Sequence, residues 1–191
     1  MERILYILAL ALFLLTACTL FDTRTPEEPD GDNSIFLPPT SPDIVIANLL
    51  EAVNTNNADN YAACFIASGY VFMPSNDAAA KYPSLFDNWG VNDEKQFMLS
   101  LTTTLGKANY LRLSFDNKEF ATITADSALL VTNYILNFDL ANTSYPTNYA
   151  GKASFTIAKG ASGLWAISRW QDYSDADTEE TISGLKARFG K

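Results

Sequence analysis

From Leu111 onward the chain alternates. Leu111, Leu113 and Phe115 are separated by Arg112 and Ser114, and Leu130, Tyr134, Leu136 and Phe138 are offset by one from Val131, Asn133, Ile135 and Asn137. A period of two belongs to the β-strand, whose successive side chains leave on opposite faces. The pattern predicts strands over 111–115, 120–125, 129–140, 149–158 and 164–173. Asp116-Asn117 and Asp126-Ser127 read as turns, and Lys159-Gly160-Ala161-Ser162-Gly163 as a glycine-rich hairpin turn.

Helical signals come earlier. Ser41-Pro42-Asp43 combines an N-cap, a proline suited to the first helical position and an acid at the positive end of the helix dipole. Ile44, Ile46, Leu49, Leu50 and Val53 then supply an apolar face. A short helix is expected over 58–65, a strand over 69–73, and an irregular aromatic stretch over 74–89. A further helix is expected behind Asn92-Asp93-Glu94, where Asp93 and Gln96 stand at capping-box spacing and Phe97, Met98, Leu101 and Leu105 follow at helical intervals. Helices first, then four or five long antiparallel strands, make an α+β domain.

The N-terminus is of another kind. Ile4 to Leu15 is an unbroken run of twelve apolar residues, too short for a membrane-spanning helix of about 20 residues and right for the apolar core of a signal peptide. It closes on Leu15-Thr16-Ala17-Cys18, which resembles the lipobox of bacterial lipoproteins. That resemblance implies cleavage before Cys18 and acylation of the new N-terminus. It divides the chain into a signal peptide (1–17), a lipidated cysteine with a flexible, acidic, proline-rich tether (18–40), and a folded domain (41–191). Its expected location is the bacterial cell envelope, by the sorting pattern of enteric bacteria the outer membrane, with the domain periplasmic or surface-exposed. Within the tether Ile35-Phe36-Leu37 is an apolar island expected to dock on the domain.

Composition removes several functions. Histidine is absent, so neither a Ser-His-Asp nor a Cys-His catalytic set can form, and the usual zinc ligand sets are missing. Once Cys18 is set aside, Cys64 is the remaining thiol, so no intrachain disulfide is available. There is no Gly-rich phosphate loop. A net charge of −9 opposes binding to a phosphate backbone and excludes nucleic acid as the expected partner. No catalytic, cofactor-binding or metal site is expected, and no cofactor.

The order helix, short helix, strand, helix, long strands, ending in Trp165-Ala166-Ile167-Ser168-Arg169-Trp170-Gln171-Asp172, resembles the NTF2-like superfamily, whose last strand has the form W-x-I-x-x-W-x-D. Asn56-Asn57-Ala58-Asp59-Asn60-Tyr61 and the closing Leu185-Lys186-Ala187-Arg188-Phe189 add to the likeness. The resemblance implies a cone in which N-terminal helices pack on a strongly curved antiparallel sheet, with a mouth open to a ligand, a reaction or a partner. The function it implies is non-catalytic binding of a small hydrophobic ligand or a protein. A ketosteroid-isomerase- or cyclase-like enzyme, or a purely structural envelope protein, are the alternatives, and a homodimer through the sheet is a possible assembly. Fold does not choose among these.

The pocket residues expected on this basis are Tyr134, Asn133, Asn137, Arg112 and Trp165. The row Val131, Asn133, Ile135, Asn137 mixes apolar residues with amides, as a ligand-facing wall does; on an open sheet the same asparagines would face water. Asp59, Asp139 and Tyr134 are the acids an enzyme could use. Trp165 and Trp170 differ in parity, which on a regular strand puts them on opposite faces. Arg112 and Arg169 stand at polar strand positions suited to a cross-strand ion pair. Tyr82 to Trp89 forms a dense aromatic loop that could cover a pocket.

Overall fold

The computed structural model describes residues 35–106, 110–139, 145–174 and 180–190. The expected signal peptide, Cys18 and the part of the expected tether before Ile35 lie outside the described residues.

Among the described residues, five helices and five strands follow one another as α1 (Pro42–Asn54), α2 (Ala58–Ala63), β1 (Val71–Met73), α3 (Asn76–Lys81), α4 (Val91–Leu105), β2 (Leu111–Ile123), β3 (Ser127–Phe138), β4 (Asn148–Lys159), β5 (Trp165–Tyr173) and α5 (Ile182–Phe189). The sheet order is β1-β5-β4-β3-β2. Only the short β1 runs parallel to its neighbour, and β2 to β5 form an antiparallel meander. Helices packed on a curled, mainly antiparallel sheet give the expected α+β architecture. A single core cluster fills the space between the layers, from Val45 and Leu49 of α1 to Phe155 and Ile157 of β4 and Leu185 of α5.

Local chemistry explains the element ends. Ser41 caps α1, its Oγ accepting from the Ile44 amide at 3.4 Å. Two asparagines of the same helix hold other segments to it. Asn48, buried, accepts from the Leu37 amide at 3.0 Å and donates to the Leu37 carbonyl at 2.7 Å, while Asn54 clamps Leu113 of β2 in the same two-bond manner. The Trp165 amide also donates to the Pro39 carbonyl. The apolar island Ile35-Phe36-Leu37 is thus held to α1 through Leu37.

Several sequence expectations change. Asp116-Asn117 does not end a strand. It forms a bulge inside one long strand β2, with Asn117 in the left-handed region (φ 51°) and pairing resumed at Glu119 opposite Val131. The irregular stretch contains a short helix, α3, capped by Ser75. Gly90 is the N-cap of α4 and Asp93 its third helical residue, accepting from the Gly90 amide at 2.9 Å, so the pairing expected between Asp93 and Gln96 is displaced by three residues. The closing segment is itself a helix, α5.

The parity of the tryptophans is also corrected. Opposite β5, Thr156 pairs with Arg169 but Ile157 pairs with Ile167, so Ser168 is an extra residue. This bulge resets the alternation, and Trp165 and Trp170 are both buried, 6% and 1% exposed. Trp170 then packs on Phe155, Phe72 and Phe65 with ring centroids 4.9, 5.9 and 6.4 Å away.

Candidate functional site

Among the described residues, two carboxylates inside the fold, Glu94 and Asp172, have no solvent exposure. Glu94 sits on the apolar stripe of α4, one turn before Phe97 and Met98. Its Oε2 accepts from the Tyr61 hydroxyl at 2.7 Å, and its Oε1 accepts from the Tyr70 hydroxyl at 2.6 Å, the Trp89 indole at 2.9 Å and the Lys186 ammonium at 2.6 Å. Lys186 comes from α5, and neither member of this ion pair is accessible to solvent. The ammonium lies 3.7 Å from the centroid of the Phe72 ring and 3.9 Å from that of Trp170, with Phe97 and Trp89 near 6 Å. A charge taken from water at this depth persists because a counter-ion, three further donors to that counter-ion and several ring faces replace its hydration.

Burial pulls the Lys186 ammonium down to about 8, against the opposing pull of Glu94. Burial, reinforced by the Glu94 charge, pushes the Tyr61 and Tyr70 hydroxyls well above the ordinary phenol range, so both stay donors at neutral pH.

The second carboxylate is Asp172, at the end of β5. Its Oδ1 accepts from the Tyr134 hydroxyl at 2.7 Å and its Oδ2 from the Ser183 amide at 2.9 Å and from the Ser183 hydroxyl. The Tyr134 hydroxyl accepts in turn from the Ile182 amide at 2.9 Å. Gly151 stands opposite Tyr134 in the register, and a Cβ there would meet the Tyr134 oxygen at 2.7 Å; only glycine leaves that ring its place. Asp172 and Tyr134 therefore serve as the N-terminal cap of α5. Among the described residues, the Trp170 indole N–H and the Asn56 side-chain oxygen are the buried polar side-chain atoms without a partner.

The residues expected to line a pocket do not converge. Tyr134 is inside, but committed to Asp172. The row Leu130, Thr132, Tyr134, Leu136 faces the helices and is buried, whereas Val131, Asn133, Ile135 and Asn137 face outward. Asn133 and Asn137 are thus not part of a cone-lining wall. Asn133 lines an outer-face cleft of about 560 Å³ with Val131, Lys152, Ser154, Tyr173 and Ser174. Arg112 is exposed and pairs in register with Asn137, and Arg169 pairs with Thr156, so neither faces a carboxylate across the strands. Trp165 borders a separate apolar groove of about 500 Å³, beside Phe36, Phe65 and Leu164.

Of the acids an enzyme could use, Asp59 is on the surface, paired with Lys95 at 2.5 Å. Asp139 lies exposed just past β3. The aromatic loop contributes Phe86 and Trp89 to the core and Glu94 contact rather than covering an open pocket. Cys64 is buried, its thiol donating to the Asn60 carbonyl at 3.3 Å, and burial pushes it up to about 12. No group of three or more potential metal ligands occurs among the described residues.

The sequence reading missed Glu94 and Lys186 as a pair. The usable signal was Glu94 at 3, 4 and 7 residues before Phe97, Met98 and Leu101, a charge on the apolar face of its helix.

No protein-family model matches the chain, and no curated protein matches it by sequence. Solved structures do match. A proposed aromatic ring hydroxylase from Novosphingobium aromaticivorans is 13% identical with a TM-score of 0.57, over 83% of this chain and 99% of that one. A proposed calcium/calmodulin-dependent protein kinase II association domain from Xanthomonas campestris is 13% identical with a TM-score of 0.52, over 71% and 86%. LinA is 11% identical with a TM-score of 0.51, over 67% and 79%. At these identities the likeness shows the fold, which is the NTF2-like cone.

Proposed function

We propose that this chain is a non-catalytic binding module, held at a bacterial membrane through acylated Cys18, that takes its ligand on the outer face of the sheet. The observation carrying this reading is the state of the cone. Its two interior carboxylates are spent: Glu94 on Lys186 and three other donors, Asp172 on Tyr134 and the start of α5. A general base needs a carboxylate within reach of a substrate proton, and neither is offered to one. The outer cleft, by contrast, has the volume of a small-molecule site and mixes Val131 and Tyr173 with the orienting groups of Asn133, Lys152 and Ser154. The Lys152 ammonium suits a ligand carrying an acceptor or an acid.

The reading is tested on the full chain extracted from a bacterium that processes lipoproteins. Labelled fatty acid should enter the protein and be lost in Cys18→Ala. Native mass spectrometry should show a retained ligand that Lys152→Glu or Asn133→Trp abolishes. An unacylated wild-type chain, or a ligand indifferent to both outer-face changes, would refute it.

Self-association is the second reading. Val71, Met73, Ile135 and Tyr173 are exposed apolar residues on outward-facing strand positions, and one neighbour of the same fold bears the name of an association domain.

A further inference from the structure

The geometry points to a primary-alkylammonium site at the base of the cone, occupied here in cis by the side chain of Lys186 and open to a free alkylamine when α5 lifts. The surroundings of that nitrogen are those of a receptor for an amine. One carboxylate oxygen lies at 2.6 Å, two ring faces lie within 4 Å, and two more rings close the sides. A carboxylate set among aromatic faces is the arrangement that selects organic cations.

The chemistry also fixes which cations. Tyr61, Tyr70 and Trp89 all donate to Glu94, so the remaining need of the carboxylate is a positive charge bearing an N–H. A neutral alcohol would leave Glu94 buried without a counter-ion. A quaternary ammonium would bring charge but no hydrogen-bond donor. An unbranched primary amine meets both conditions, as the unbranched Lys186 side chain does. The net charge of −9 favours the approach of such a cation.

The occupant arrives on a short helix. α5 spans eight residues, and its buried polar links beyond Lys186 are concentrated in its first turn, where Ser183 and the Ile182 amide meet Asp172 and Tyr134. A cavity of about 220 Å³ lies between α3 and α5, bordered by Ser75, Ala78, Thr181 and Gly184, and gives the helix room to move on that side. This inference is independent of the outer-face reading, because it concerns the opposite side of the sheet.

The test uses the full chain. Lys186→Ala removes three methylenes and the ammonium, so n-propylammonium is the complementary probe. Its chloride should raise the melting temperature of Lys186→Ala by several degrees beyond that in equal sodium chloride. Propanol and tetramethylammonium should not, and Glu94→Gln placed in the same variant should abolish the effect. Equal stabilisation by propanol, or none by the amine, overturns the proposal. If Lys186→Ala folds in neither medium, wild type decides. n-Butylammonium should accelerate amide hydrogen exchange across α5 several-fold while leaving α1 unchanged, and unaltered exchange in α5 overturns the proposal.

Discussion

Lys186 Nζ donates to Glu94 Oε1 at 2.6 Å across 92 residues of sequence, tying the C-terminal helix to the middle of α4. Both side chains are fully enclosed. Removing one partner of such a pair strands the other as an uncompensated charge, which costs more than removing both. Lys186→Met and Glu94→Gln should each lower stability in urea unfolding, Lys186→Met by about 3–5 kcal/mol and Glu94→Gln by less, since an amide can still accept from the tyrosines. The double variant should lose less than the sum of the singles. Strict additivity would mean that the two groups do not depend on each other.

The pH dependence follows from the same core. Lys186 releases its proton near 8 when folded and near 10.5 when unfolded. Between these values the unfolded chain holds the extra proton, so unfolding takes one up and stability rises with pH. Tyr61, Tyr70 and Tyr134 act in reverse, since all three keep their protons in the fold well above 10 and lose them on unfolding near 10. Cys64, pushed up to about 12 in the fold from an ordinary value near 9, acts as the tyrosines do and offsets the climb from about pH 9. Stability should therefore climb from about pH 8 to about pH 9, level off, and fall beyond about pH 10. Lys186→Met should remove the climb and keep the fall. A steady decline of the wild type from pH 8 in thermal melts would contradict this assignment.

Much of the fold is visible in the sequence because its signals are local. Ser41-Pro42-Asp43 starts α1 where read, the alternation of β3 survives intact, and β4 pairs with β5 across the glycine-rich turn as expected. The errors fall where a long-range contact overrides a local signal. Asp116-Asn117 has turn chemistry, yet the partner strand continues past it, and Thr132 donates to the Asp116 carbonyl at 2.8 Å to hold the bulge. Parity counted through Ser168 fails because an inserted residue leaves no mark in the pattern itself. The site was less legible still. Glu94 reads as part of a helix cap and Lys186 only as part of the closing segment, and the packing of α5 brings them together.

The bulge at Ser168 gives a sharp test. Without Ser168 the strand alternates regularly, the Thr156–Arg169 and Ile157–Ile167 pairs stay in register, and Trp165, Ile167, Trp170 and Asp172 all keep the core face. The deletion should therefore still unfold cooperatively, as should Ser168→Ala, whereas deleting both Ser168 and Arg169 turns Trp170 and Asp172 to the outer face and should abolish cooperative unfolding. Loss of cooperative unfolding on deleting Ser168 alone would contradict its place as the inserted residue.

Cys64 should be inert in the native state. Its thiol is enclosed and pushed up to about 12, so almost no thiolate exists at neutral pH. In Cys18→Ala protein, reaction with a disulfide reagent should proceed only as fast as the chain opens and should accelerate sharply in urea. Immediate native reaction would place the thiol at the surface.

The closed cone is tested most directly by side-chain NMR of the lysine ammonium groups. One ammonium, lost in Lys186→Met, should resolve from the rest, exchange slowly with water, show contacts to the rings of Phe72 and Trp170, and titrate near 8. A set of lysines that all exchange rapidly and titrate together near their ordinary value would contradict the filled cone and the functional reading built on it.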